Sequence, residues 1–355
     1  MAFSLKKKAA TTESTTSGEN AIANKEIEGL SQGQIVRRRF FRHRAAVIAL
    51  VTLSSIILFV LTSLDSKIGP IRIPGWWKWT VEDIPELRFE DCPGGTTGCP
   101  TLSLNPTGDF GMGNHPFGQD DIGRDYFALV MNGARRSLMI MFVIGAVSGF
   151  IGVVVGSISG FYGKRVDAVL MRLVDFIQTV PTIIIAAVIG KAAGRVGPLF
   201  LALFLGILGW TGLARLVRAQ FLSLREMEFV DAARVAGASN IRIAFKHILP
   251  NAVGQIIVSV TLIMAGAILT ETALSYLGFG VVAPDVSLGL LISQYESSFT
   301  TRPWLFWWPG FFIISIALCV NFIGDGLRDA FDPRQRRRIT KKDRLQAKLQ
   351  IKAGE

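Results

Sequence analysis

Four side chains able to bind a metal or move a proton fall close together: His115, Asp120, Asp121 and Asp125. Three carboxylates and an imidazole at that spacing are donors a divalent cation accepts. They lie, however, in His115-Pro116-Phe117-Gly118-Gln119-Asp120-Asp121-Ile122-Gly123-Arg124-Asp125, just ahead of a helical pattern. There Gly118 and Gly123 suit turns and Asp suits an N-cap, so capping and loop packing are the expectation and no metal site is assigned. Cys92 and Cys99 bracket Pro-Gly-Gly-Thr-Thr-Gly. That turn-forming spacer allows a disulfide in an oxidising exterior; two free thiols are the alternative, and two soft ligands are too few for zinc. Cys319, in an apolar run, reads as a packing residue.

Glu271 stands inside an apolar stretch, where a carboxylate must be paired or face water. Two readings stay open: a group on a solute pathway, or a hydrogen bond to the following turn. His247 has no Ser, Cys or carboxylate constellation around it and reads as a helix-end residue on a surface. Asp325 and Asp329 flank Arg328 and read as a capping or salt-bridge group. No Gly-x-x-x-x-Gly-Lys-Ser/Thr loop occurs, so the chain is not expected to hydrolyse ATP, and no catalytic residue is assigned.

The elements that position these groups are apolar. Half of the 355 residues are hydrophobic and 18% are charged, below the roughly 25% usual in soluble domains, which points to a membrane protein. Six stretches, 45–64, 137–161, 176–190, 196–214, 253–276 and 304–324, are predicted spans. The third is short and is extended by an amphipathic run over 166–175. The expected fold is therefore an all-α integral membrane protein with six transmembrane helices. Phe127, Val130, Met131, Ala134 and Leu138 predict an amphipathic helix running into the second span.

The net charge of +11 would suit nucleic acid in a soluble protein; here it follows topology. With the N-terminus in the cytoplasm, 28 of the 38 Lys and Arg residues lie on the cytoplasmic side, and the 10 outside face 12 acidic residues. Runs at Arg37–Arg44 and Arg334–Arg338 anchor the ends, and six of seven Trp residues flank the outer ends of the first and last spans. The chain divides into a disordered cytoplasmic tail (1–35), a first span with a basic anchor (36–65), an outer loop with an amphipathic helix (66–136), a transmembrane core (137–325) containing a cytoplasmic loop over 215–252, and a basic cytoplasmic tail (326–355). No nucleic-acid partner is expected.

Within that loop, Phe229, Ala232, Ala233 and Ala236 follow helical spacing, and Asp231 and Arg234 can pair one turn apart. Gly237 breaks the helix, Ser239 caps a second one, and Ile241, Ala244, Phe245 and Ile248 give the second its apolar face. Pro250 is expected to end it. The mainly Ala face, with Glu228 and Asp231 beside it, favours docking on protein over docking on lipid.

Asp231-Ala232-Ala233, Gly237 and Pro250 at this spacing resemble the "EAA" loop of bacterial ABC importer permeases, with Asp231 where that family usually has Glu. His115–Asp125 is similar to the outer-loop motif of oligopeptide and dipeptide permeases, Glu271–Gly280 to their fifth-span exit, and Gly324–Arg334 to their C-terminal motif. The matches run in order from about 115 to 334; the 66–112 insertion departs from the family's short pattern. The resemblance implies a C-type permease subunit of the oligopeptide/dipeptide/nickel family, multi-pass in the bacterial inner membrane with both termini cytoplasmic. It implies that Glu228, Asp231, Ala232, Ala233, Gly237, His247, Leu249 and Pro250 dock on an ATPase, and that His115, Pro116, Gly118, Asp120, Asp121, Gly123, Arg124 and Asp125 form an outer-loop motif. Its implied partners are a homologous second permease, two cytoplasmic ATPase subunits that use ATP and Mg, an extracytoplasmic substrate-binding protein and the bilayer. The mechanism implied is alternating access driven by ATPase closure. Peptide is the expected cargo, with nickel or another small solute as the alternative; a secondary transporter would need more ionisable groups at the midplane than Glu271.

Overall fold

In a computed structural model the described residues are 32–331, except 69–70, 88–91, 93–95, 105–109, 112 and 194–195. The expectations for residues 1–31 and for the basic run after 331 lie outside them. Residues 32–35, placed in a disordered tail by sequence, instead begin helix α1, Gln32–Arg42. His43 breaks it and caps α2, Arg44–Ser63, accepting from the Ala46 N–H at 3.1 Å.

The segment between α2 and the next helix holds two short antiparallel pairs, β1 (Ser66–Ile68) with β2 (Ile71–Ile73) and β3 (Ser103–Leu104) with β4 (Phe110–Gly111). These qualify the all-α expectation; they are too short to leave an alternation signal. α3, Tyr126–Tyr162, merges the amphipathic helix and the second span into 37 residues. The third and fourth stretches each break in two. α4 (Lys164–Thr179) and α5 (Thr182–Ala193) meet at a 71° bend, at Val180-Pro181, where the proline ring excludes a helical partner upstream. α6 (Pro198–Gly209) and α7 (Thr211–Arg225) meet at 41°. Next come α8 (Glu228–Val235), α9 (Asn240–Tyr276), α10 (Leu288–Tyr295) and α11 (Trp304–Phe331). Four helices (α2, α3, α9 and α11) are long and apolar enough to cross a membrane, or up to six spans exist if each bent pair counts as one.

Pro250 does not end the second helix of the 228–250 segment. The helix passes through it, because a π-helical turn over Ile243–Ile248 precedes it and the Leu249 N–H reaches the Ala244 carbonyl. Beside the proline, the Asn251 side-chain amide donates to the His247 carbonyl at 2.7 Å.

The main core joins α2, α3, α9, α10 and α11 through residues such as Phe127, Met131, Ile268, Leu288 and Ile316. Along its second half α3 lies against α7 through glycines. A Cβ at Gly156 would meet the Ala214 carbonyl and the Val217 side chain, so backbone and helix touch directly. Gly156→Leu is expected to lower stability by about 1–3 kcal/mol through overpacking. A thermal-shift measurement in detergent checks this, with Phe150→Leu, at a 72% exposed position of the same helix, expected to be near neutral.

Candidate functional site

The 228–250 segment closes one end of the bundle. α8 stops in a Schellman arrangement: the Ala238 N–H reaches the Ala233 carbonyl at 3.0 Å and the Gly237 N–H reaches Arg234 at 2.9 Å. Gly237 holds φ +79°, a left-handed backbone that favours glycine. Ser239 Oγ then accepts from the Arg242 N–H at 3.4 Å, starting α9. Arg234 Nη1 donates to Asp231 Oδ1 at 2.9 Å; both are exposed, so the pair shapes the surface and adds little stability.

The face that turns inward differs from the expected one. Val230 is fully buried and Ala233 half-buried against Phe221, Ile243 and Ile248. Phe229, Ala232 and Ala236 point away from the bundle. The spacing at 229, 232, 233 and 236 competes with 230 and 233, and branched Val230 takes the core position. Sequence spacing therefore missed Val235, which is 91% exposed, and did not anticipate that Ile241 and Phe245, 67% and 59% exposed, would also be bare. Glu228 and Asp231 are exposed around this patch, while His247 and Leu249 are half-buried and Pro250 is exposed. A cavity of about 220 Å³, lined by Ile158, Tyr162, Phe221, Ile241 and Phe245, opens beside it. An apolar patch with a recess, rimmed by charge, is the pattern of a protein interface.

At the other end, His115–Asp125 forms a clasp of interlocked hydrogen bonds. Asp120 is fully buried. Its Oδ1 accepts from the backbone N–H groups of Arg124 at 2.8 Å and Ile122 at 3.1 Å; its Oδ2 accepts from Arg124 Nε at 2.6 Å and the Tyr295 hydroxyl at 3.0 Å. Burial, followed by the Asp120 carboxylate, holds the Tyr295 phenol well above its ordinary pKa. Asp125 caps α3 by accepting from the Ala128 N–H at 2.9 Å, and also binds His115 Nδ1 and Trp77 Nε1, each at 2.8 Å. Gly118, at φ +83°, lies where a side chain would strike Trp304. Pro116 and Gly123 are buried, and Asp121 alone of the motif's acidic residues is exposed. Among the described residues no three His, Cys, Asp or Glu side chains gather around one point. Cys92 and Cys99 are joined in a disulfide, with Cα atoms 5.6 Å apart.

Glu271 is fully buried between α3, α9 and the start of α10. Its carboxylate accepts from Ser137 Oγ at 2.9 Å and Ser275 Oγ at 2.8 Å, and Ser275 Oγ accepts from the Val281 N–H at 3.0 Å. Of the two readings, the geometry fits the bond to the following turn. Asp329 lies 3.5 Å from His43 Nε2, so the C-terminal acidic group contacts the α1–α2 junction where a link to Arg328 was expected.

Residues 152–337 match the family described as the binding-protein-dependent transport system inner membrane component, and 31–65 match the N-terminal TM domain of oligopeptide transport permease C. The oligopeptide transport system permease protein OppC of Haemophilus influenzae is 36% identical over 89% of this chain and 93% of its own length. That of Escherichia coli K12 is 37% identical over 90% of this chain and 96% of its own. Among solved structures, an inward-facing MetNI methionine ABC transporter chain aligns with TM-score 0.48 and 20% identity over 57% of this chain and 96% of that one. On the family match and these relatives, the chain belongs to the binding-protein-dependent transport system inner membrane components, in their oligopeptide permease C group.

Proposed function

We propose that this chain is one half of the transmembrane pathway of an ATP-driven importer of di- or oligopeptides. The observation that carries the reading is the bare apolar patch of Val235, Ile241 and Phe245 at the Asp-Ala-Ala turn, in a chain related to oligopeptide permeases over about nine-tenths of its length. A surface of that kind exposes area that water disfavours, and an ATPase subunit covers it. The bent pairs α4–α5 and α6–α7 each make one span, giving six. The 228–250 end faces the cytoplasm, in keeping with the Arg and Lys distribution, and both termini are cytoplasmic. The chain itself hydrolyses nothing. ATP and Mg are used by two partner ATPase subunits, a homologous permease completes the pathway, and a binding protein delivers cargo to the 115–125 face.

Glu271 supports this reading over a proton- or ion-coupled carrier, since its carboxylate is fully buried and occupied by the Ser137 and Ser275 hydroxyls. Affinity purification of the tagged chain in detergent, followed by mass spectrometry, tests the proposal. An ATPase pair and a second permease are expected to co-purify. A lone chain that moves solute in liposomes without ATP would overturn it.

A further inference from the structure

We propose that the corner between α1 and α2 binds an anionic phospholipid, with its phosphate on Arg42 and Arg44 and its acyl chains along the bare stripe of α2. α2 has two faces. Ala46, Ala49, Leu53 and Val60 are buried against the bundle. At about 100° per residue the opposite side carries Arg44, Ile48, Val51, Ser55 and Leu58, all exposed. Ile48, Val51 and Leu58 are between 59% and 66% exposed, on a helix long and apolar enough to cross a membrane, so hydrocarbon covers this stripe. Arg44 heads it, one turn before Ile48. Side chains on a helix lean toward its N-terminus, so the Arg44 guanidinium reaches back to the level where a lipid's phosphate joins its chains.

The corner is held in place by α11. Phe40 packs with Ala46 and Ala330, and His43 Nε2 lies 3.5 Å from Asp329 Oδ2. A Cβ at Gly326 would strike Ala46, so α2 and α11 touch directly here. These contacts fix the rotation of both helices. Arg42 is two residues from Phe40, and Arg44 two from Ala46, so both arginines point away from the bundle, and both are exposed. Among the described residues no carboxylate lies within 4 Å of either guanidinium. Beside them Phe41 is 59% exposed. A bare aromatic ring among arginines is disfavoured in water; at a membrane interface the ring enters the acyl boundary while the charges stay with the headgroups.

Each guanidinium presents a planar fork of N–H donors that phosphate oxygens accept in pairs. Two such forks favour a lipid of net negative charge over a zwitterion, whose own cation competes for the phosphate. Topology alone asks only that the charges lie on one side of the membrane. It gives no reason for an arginine to head a hydrocarbon-facing stripe with an exposed phenylalanine beside it.

Native mass spectrometry tests this on the full chain, purified in neutral detergent, stripped of lipid and offered an equimolar mixture of phosphatidylglycerol and phosphatidylcholine with identical acyl chains. The parent is expected to retain the anionic lipid at least about tenfold over the zwitterionic one, since each basic residue near an anionic headgroup contributes about fivefold. Arg42→Gln with Arg44→Gln is expected to bring the ratio to about one. Arg42→Lys with Arg44→Lys is expected to keep most of the preference, because the charge remains although the paired donors are lost. Retention of the two lipids without preference by the parent would overturn the proposal, and that measurement needs no variant. A preference unchanged in the glutamine variant would also overturn it and place the lipid elsewhere. Inorganic phosphate in large excess is expected to leave the lipid bound; displacement by phosphate would overturn the lipid assignment and make the corner a site for a free anion.

Discussion

Val235→Glu is expected to abolish ATP-driven uptake while leaving the protein folded and inserted. Val235 is 91% exposed, and nothing in the bundle depends on its side chain, so the substitution costs the isolated chain within about 0.5 kcal/mol. In the assembly proposed above an ATPase covers the same position. A carboxylate placed there loses its hydration without a partner, at a cost of several kcal/mol, and association falls by about a hundredfold or more. Co-purification of the ATPase, read alongside the detergent thermal shift, separates the two effects. Ala233→Trp would reach uptake by another route: Ala233 faces Phe221 and Ile248, so a bulky residue there displaces α8 from the bundle and lowers the thermal midpoint as well. Undiminished ATPase binding by Val235→Glu would place the docking surface elsewhere.

Asp120→Ala is expected to have the largest effect on stability. It strips two backbone N–H groups, the Arg124 guanidinium and the Tyr295 hydroxyl of one shared acceptor. Removing one member of a buried, hydrogen-bonded ion pair costs about 3–5 kcal/mol, because the remaining charge is left uncompensated. The damage is local at first, since Tyr295 ends α10 and the 115–125 turns lead into α3. Limited proteolysis from the 115–125 side should therefore accelerate in Asp120→Ala before the helical core melts. Asp121→Ala, at the exposed neighbouring position, is the matched control and is expected to be within about 0.5 kcal/mol of the parent. Equal proteolysis of the two variants would refute the central role of Asp120.

Long apolar stretches were legible in the sequence because a span needs about twenty residues and few charges. The bends within the third and fourth were less so. Pro181 marks one; at the other Gly209 and Gly212 flank Trp210, and glycine alone does not set the angle, which follows from packing of Trp210 against α3 and α4. The Gly237 turn could be read from a single residue type, whereas the inward face of α8 could not: over eight residues two helical registers compete, and tertiary burial of Val230 decides between them. Pro250 misled for a related reason, since the π turn that admits it draws on hydrogen bonds of the preceding residues and has no residue-type signature. In the 115–125 motif, the N-capping aspartate was legible; that Asp120 would reach Tyr295, 175 positions away, was not.

The unbroken run of α9 has a mechanical consequence. Thirty-seven residues at 1.5 Å each make a strut of about 55 Å. It bears the bare side chains of Ile241 and Phe245 near one tip and the buried Glu271 anchor near the other. About a fulcrum at Glu271, roughly 46 Å from Asn240, a tilt of about 10° carries that tip about 8 Å, so a push on the bare patch travels along the helix itself without any relay of side chains. The π turn at Ile243–Ile248 is the one joint in this strut, and its stiffness sets how much of the stroke is delivered.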